Sequence, residues 1–309
     1  MLVEFLFYVV IAGCLVAVLA YIGDKHEKEP IFRIFLAIWL GMTSVITVHL
    51  IQHIFILPVY GDNPSSGRIL LVNFFSAGFI EELAKFSMIY LFIFKWEDFN
   101  EYYDGLLYAG LVGLGFATSE NLGYMIRPYL EVVNQGYLVE EKLVRELGVL
   151  ILLKTRMLHA HFFIDFIAGF FIARAKFFEF GQVEKKGVLV WKETFYLISA
   201  LILAVFMHGS FNTLAFCENR LFFYAYFSLL VLVCVFLALK TSKKSVFRKE
   251  ILDSLPDLQR NRLLEVLRIS KEEKITFGYV LTMILLTVVY LFFSYFVMNV
   301  VSAVFHQPT

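Results

Sequence analysis

Long apolar runs separated by short polar stretches make up most of this chain. A membrane-crossing helix needs about 20 mostly apolar residues, and on that measure about eight segments qualify: 2–22, 32–57, 68–95, 103–126, 147–173, 194–217, 221–240 and 276–304. The pattern predicts an all-α fold, a polytopic membrane helix bundle with about eight transmembrane helices and no large soluble domain. The predicted organisation is a transmembrane bundle over 1–240 with its functional core at about 68–217, a polar stretch over 241–275, and a last span with a short tail over 276–309. Within 241–275, Leu258, Leu263, Leu264 and Leu267 recur near helical spacing among Arg260, Arg262, Glu265 and Arg268. That spacing predicts an amphipathic cytoplasmic helix lying near the membrane surface.

The connecting segments set the orientation. Lys25, Lys28 and Arg33 surround the first; Arg174, Lys176, Lys185, Lys186 and Lys192 crowd the fifth; Lys240, Lys243, Lys244, Arg248 and Lys249 open the seventh. Basic loops stay in the cytoplasm, so both termini are expected outside. The fourth loop offsets Arg127, Lys142 and Arg145 with Glu131, Glu140, Glu141 and Glu146 and leaves the alternation intact. Ile11-Ala12-Gly13-Cys14 has the form of a lipoprotein cleavage box. Residues 1–10 nonetheless hold Glu4 and no Lys or Arg, and the apolar run continues to Ile22, so the segment reads as a retained span.

Composition agrees with the membrane reading. The 309 residues are 60% hydrophobic and 17% charged with 35 Phe, outside the usage of soluble domains. The formal net charge is zero, which gives no sign of a nucleic-acid partner and leaves the lipid bilayer as the expected surrounding. Cys14, Cys217 and Cys234 show no paired spacing and are read as packing residues.

Charge inside such spans is costly, and a carboxylate at membrane depth points to function. Glu81, Glu82 and Lys85 fall in the third span, Glu120 and Asn121 in the fourth, His159, His161 and Asp165 in the fifth, His208 and Asn212 in the sixth. Placed by a rise of about 1.5 Å per residue, the four groups share one level, between the bilayer centre and the external face. Lys85 lies three and four positions after the two glutamates and can hold one ionised while the other, rotated by about 100°, points elsewhere. His161 shares a face with Asp165, which can orient its ring, and is favoured over His159. Asn212, four after His208, can fix which imidazole nitrogen carries the proton.

Acids and imidazoles around a water pocket suit two hydrolytic mechanisms, and the residues leave both open. In one, a glutamate activates water while histidine polarises a carbonyl and Asn121 or Asn212 contacts the oxyanion. In the other, zinc is held by some of Glu82, Glu120, His161 and His208 with a position open for water. Ser76, Ser119 and Ser210 neighbour these residues, yet no nucleophile-elbow motif is present.

Several of these pieces resemble the PrsW family of intramembrane proteases, related to the prenyl-protease and bacteriocin-processing group. The matching elements are Glu81-Glu82-Leu83-Ala84-Lys85; Asp104-Gly105-Leu106-Leu107-Tyr108; Gly115-Phe116-Ala117-Thr118-Ser119-Glu120-Asn121; His161 with Gly169; and His208-Gly209-Ser210-Phe211-Asn212. The family's third element usually carries a Pro before the His, absent here from Arg156 to His161. The resemblance implies a bacterial or archaeal cell-membrane hydrolase that cuts a single-span membrane protein, typically an anti-sigma factor, first on its external side. It implies Glu81, Glu82, Glu120, His161 and His208 as catalytic, with Lys85, Asn121, Asp165 and Asn212 supporting. No cofactor is favoured, with zinc the alternative. A proton-coupled transporter would use similar groups, but no repeat of the polar elements recurs in the last two spans. A non-catalytic scaffold of the same fold is the third reading.

Overall fold

The computed structural model describes residues 2–24, 27–55, 70–134, 160–177, 186–215 and 220–241, with 257, 260 and 261. Every element among the described residues is helical. Helix α1 is Leu2–Gly23 and α2 is Ile31–Phe55. A π-helix, Val72–Glu81, runs directly into α3, Glu82–Leu91, and a 3-10 turn, Ile93–Lys95, closes that arm. Helix α4 is Tyr102–Asn134, α5 covers residues 160–176, α6 is Lys186–Ala215 and α7 is Arg220–Thr241. The predicted span 276–304, nearly all of 241–275, and His159 lie outside the described residues.

Three of these helices are long and apolar enough to cross a membrane, over Ile31–Gln52, Trp191–Ala215 and Leu221–Thr241, and a shorter apolar stretch covers Gly13–Gly23. Helix α4 is not among them, although 103–126 is a predicted span. The reason lies in its composition: Tyr103, Asp104, Tyr108, Ser119, Glu120 and Asn121, with five glycines from 105 to 123, lower its mean hydropathy, and every residue from 103 to 117 is buried, so protein covers these groups. Helix α6 shows the converse. Trp191, Phe195, Ile198, Ile202 and Phe206 recur at helical spacing and all face outward, an apolar stripe suited to lipid.

Helix α4 is central because glycines let its neighbours close on it. A Cβ on Gly41 of α2 would strike the carbonyl oxygen of Val112, and one on Gly115 would strike that of Ile38. Gly105 of α4 and Gly169 of α5 meet in the same way, each against the other's backbone oxygen. Small residues at such crossings allow backbones to approach closely, the usual packing device of membrane helices. Around them Leu36, Leu40, Leu106, Leu107, Leu111, Val112, Ile164 and Phe166 form one apolar core.

Polar residues pin the end of the bundle where α1 stops and α2 and α4 begin. Arg33 Nε pairs with Asp98 Oδ2 at 2.6 Å and stacks its guanidinium over Trp96. Tyr103 donates to the Ala20 carbonyl at 2.7 Å, closing α1 onto α4, and Lys176 donates to the Trp96 carbonyl at 2.8 Å. Asp104 Oδ2 accepts the backbone N–H groups of Asn100 and Glu101 and so satisfies donors ahead of the first turn of α4.

Candidate active site

The π-helix and α3 meet between Glu81 and Glu82, so the acid doublet occupies the junction of two helical geometries. The length of the apolar run predicts one helix over 68–95; the π-helix is the difference, and such segments recur at functional sites. It is fastened to its neighbours by polar contacts, Asn73 Nδ2 to Thr213 Oγ1 at 3.2 Å and Gln52 Nε2 to Ser76 Oγ at 3.2 Å. Ser76 is thereby engaged with Gln52.

Lys85 organises the site. It is fully buried, and its ammonium donates to Glu82 Oε1 at 2.7 Å, Asp165 Oδ2 at 2.8 Å and His161 Nδ1 at 3.3 Å. An ammonium has three N–H donors and no lone pair, so each contact uses one donor and His161 Nδ1 must accept. The other ring nitrogen then carries the proton, and Nε2 donates to Glu120 Oε2 at 3.2 Å. Glu82 Oε1 also receives His208 Nδ1 at 2.6 Å. A carboxylate held by an ammonium is an acceptor, so His208 Nδ1 carries the hydrogen and its Nε2 keeps the lone pair. That Nε2 faces Glu81 Oε2 across 3.8 Å, beyond a direct hydrogen bond but spanned readily by one water.

The two imidazoles pack edge to face, with ring centroids 4.7 Å apart. Phe116 of α4 forms the apolar wall: its ring lies 5.1 Å from that of His161 and 5.1 Å from the Lys85 ammonium. Gly113 leaves room opposite, since a Cβ there would strike Asp165 Oδ2 and the His161 carbonyl. Sequence reading singles out neither residue for a role, although Phe116 precedes Glu120 by four positions and so shares its helix face.

The predicted residues therefore converge, with differences in detail. Glu81 and Glu82 do not point apart; they approach opposite nitrogens of the His208 ring, one at the end of the π-helix and the other at the start of α3. Asp165 binds Lys85 instead of orienting the His161 ring, because the ammonium reaches Nδ1 first. Glu82, not Asn212, decides which nitrogen of His208 holds its hydrogen. Asn121, at 2% exposure, has neither amide atom hydrogen-bonded among the described residues, and Asn212 Oδ1 likewise has no donor. Finally, the group whose ligand atoms all lie within 4.8 Å of one another is Glu81, His161 and His208, not the set containing Glu82 and Glu120, since Glu82 is committed to Lys85. A second such group, Asp24, Glu29 and Asp104, belongs to the helix-end cluster.

Comparison with known proteins shares this frame. A family model described as PrsW family intramembrane metalloprotease matches residues 29–239, which contain every site residue above. The chain belongs to the PrsW family. Protease PrsW of Bacillus subtilis (strain 168) is 29% identical over 192 residues, 62% of this chain and 73% of that protein. Protease PrsW of Geobacillus kaustophilus is 26% identical over 204 residues, 66% and 76% of the two chains. Protease PrsW of Shouchella clausii is 26% identical over 227 residues, covering 74% of this chain and 90% of its own. No solved structure matches. Membership in the PrsW family makes this chain a membrane-embedded protein hydrolase.

Proposed function

We propose that this protein cleaves a peptide bond of a single-span membrane protein with water activated by Glu81, without a metal. The supporting observation is the facing pair Glu81 Oε2 and His208 Nε2, two acceptors 3.8 Å apart. A water between them donates one proton to each and turns a lone pair towards the scissile carbonyl. Glu81 removes a proton as the C–O bond forms, and the carbonyl π-electrons move onto oxygen. The His161 Nε2–H, held by Glu120 in the resting site, and the buried Asn121 amide supply donors for that oxyanion. The tetrahedral adduct collapses as the C–N bond breaks, and the proton on Glu81 passes to the departing amine. Glu82 keeps the His208 ring aligned throughout.

The family description raises zinc, and three ligand atoms within 4.8 Å would suffice geometrically. The protonation pattern does not fit. His161 offers no lone pair, because Lys85 occupies Nδ1 and the hydrogen sits on Nε2. The same buried ammonium would oppose a dication beside it. The substrate class follows the family resemblance: an anti-sigma-factor-like protein with one span, entered from the external side where the polar residues fall by sequence depth.

The test uses purified protein co-reconstituted with single-span substrates in vesicles, with fragments sequenced. Glu81→Gln is expected to lower kcat at least about 100-fold, within the range for losing a general base. Wild-type protein dialysed against chelator and shown metal-free by elemental analysis is expected to keep full activity. Activity that disappears on metal removal and returns with zinc overturns the water-only mechanism; undiminished cutting by Glu81→Gln overturns the assignment of the base.

A further inference from the structure

We propose that Asp165 is a positioning residue that acts through Lys85: by binding one ammonium proton it commits the other two to Glu82 and His161 Nδ1, and so holds His161 in the Nε2–H form that faces Glu120. This rests on the hydrolytic reading above for its purpose, but not for its test. The geometry that carries it is a complete count of donors. Lys85 has three protons and three acceptors, at 2.7, 2.8 and 3.3 Å, and the longest contact is the one to imidazole. Asp165 approaches from α5, across the ammonium from α3, and is 3% exposed. Its carboxylate lies where Gly113 of α4 leaves space, so three helices shape the position of one carboxylate, which holds Lys85 directly and also neighbours Glu82.

Without that anchor the ammonium is free to rotate onto Glu82 with two protons, and His161 Nδ1 loses its donor. A ring relieved of that donor can carry its hydrogen on either nitrogen. In the Nδ1–H form, Nε2 presents a lone pair to Glu120 and to an incoming carbonyl, so donor turns into acceptor at the atom that must stabilise negative charge. Asp165 is thus the group that decides the polarity of the His161 edge. A simple counter-ion would leave that edge unchanged when its charge is removed, provided the fold survives.

Nitrogen-15 NMR of histidine-labelled protein in detergent, with His161 assigned by His161→Gln, reads the tautomer directly in the resting protein. Wild type is expected to show His161 neutral with Nδ1 unprotonated. Asp165→Asn is expected to show mixed or inverted tautomers and a kcat lowered about 10–100-fold with little change in KM, the scale of lost outer-shell support. Asp165→Glu is expected to restore the wild-type tautomer and part of the rate. A wild-type His161 protonated on Nδ1 overturns the proposal without any variant, which covers the case of Asp165→Asn failing to fold. A His161 that stays Nε2–H in folded Asp165→Asn also overturns it and makes Asp165 a counter-ion. A tautomer that depends on Asp165 in a protein that cuts nothing upholds the positioning and sinks the proteolytic reading, so the two failures are separable.

Discussion

At the scale of single residues, the site is ordered by one buried cation shared among groups from different helices. Lys85 sits between two carboxylates at 0% exposure, so removing it leaves Glu82 and Asp165 as uncompensated charges inside the bundle. Lys85→Met is therefore expected to destabilise the protein by about 3–5 kcal/mol, the cost of breaking a buried pair from one side. Denaturant titration in mixed micelles measures this. Adding Glu82→Gln and Asp165→Asn to Lys85→Met is expected to recover most of the stability and none of the activity, since neutral amides need no counter-ion. An unaltered midpoint for Lys85→Met alone would mean the ammonium is not paired as described. The sequence reveals half of this arrangement. The i to i+3 step from Glu82 to Lys85 is a local property of helical geometry and can be read directly. Asp165 is 80 positions away from Lys85, and its pairing depends on how α3 and α5 cross, which no spacing along one helix encodes. For the same reason Asn212, four after His208, looks like its partner while Glu82, 126 residues earlier, takes the bond.

At the scale of elements, two features decide where those residues lie: the π-helix that ends on Glu81, and the glycine crossings of α4. Hydropathy fixes the existence of the third segment but not its winding, because the alternation of apolar and polar residues over Val72–Glu81 barely distinguishes a π turn from an α turn. The crossings are equally quiet in sequence. Gly115 and Gly123 look alike, eight positions apart in one helix, yet a Cβ on Gly115 would strike the Ile38 carbonyl oxygen while one on Gly123 would meet nothing within 4 Å. The same substitution should then have opposite signs. Gly115→Ala is expected to cost about 1–3 kcal/mol, because the obstacle is backbone and cannot rotate away. Gly123→Ala is expected to gain about 0.5–1 kcal/mol from helix propensity alone. Thermal melts of the two variants in one detergent settle the comparison, and equal shifts would show that α2 and α4 do not touch at Gly115. The segment 221–240 agrees with Arg220–Thr241 to within a residue, since a long apolar run leaves little choice, whereas α6 starts eight residues before the expected 194 and α4 ends eight after the expected 126.

At the scale of the whole molecule, the Lys85 cluster and the Glu29 carboxyl of the helix-end cluster show two different means of keeping carboxylates inside protein. Around Lys85 the acids are neutralised by a cation and by hydrogen bonds from imidazole. At the junction of α1, α2 and α4, Glu29 is buried ahead of α2 with Asp24, Asp98 and Asp104 near it, and its firmest donor is the Tyr108 hydroxyl; the Lys176 ammonium lies close by but donates to Trp96. Burial, helped by the charges of Asp98 and Asp24 and opposed by the hydrogen bonds to Tyr108 and Asp104, pushes the Glu29 carboxyl up to about 8 from its ordinary 4.5. The folded protein thus keeps this proton at pH values where the unfolded chain has released it. Unfolding then liberates a proton between about pH 4.5 and 8, so the Glu29 contribution is fully present below 4.5 and is lost as pH rises through 8. The slope for one proton is at most about 1.4 kcal/mol per pH unit. Glu29→Gln fixes the neutral form in both states and should flatten that slope, making the variant less sensitive to pH than wild type between pH 5 and 8. Melting temperatures across that interval test the sign: wild type falls as pH rises, and the difference from Glu29→Gln widens with it. A wild type whose stability climbed over the same interval, in step with the variant, would mean that Glu29 is ionised in the folded bundle and that a cation, not a proton, balances the helix-end cluster.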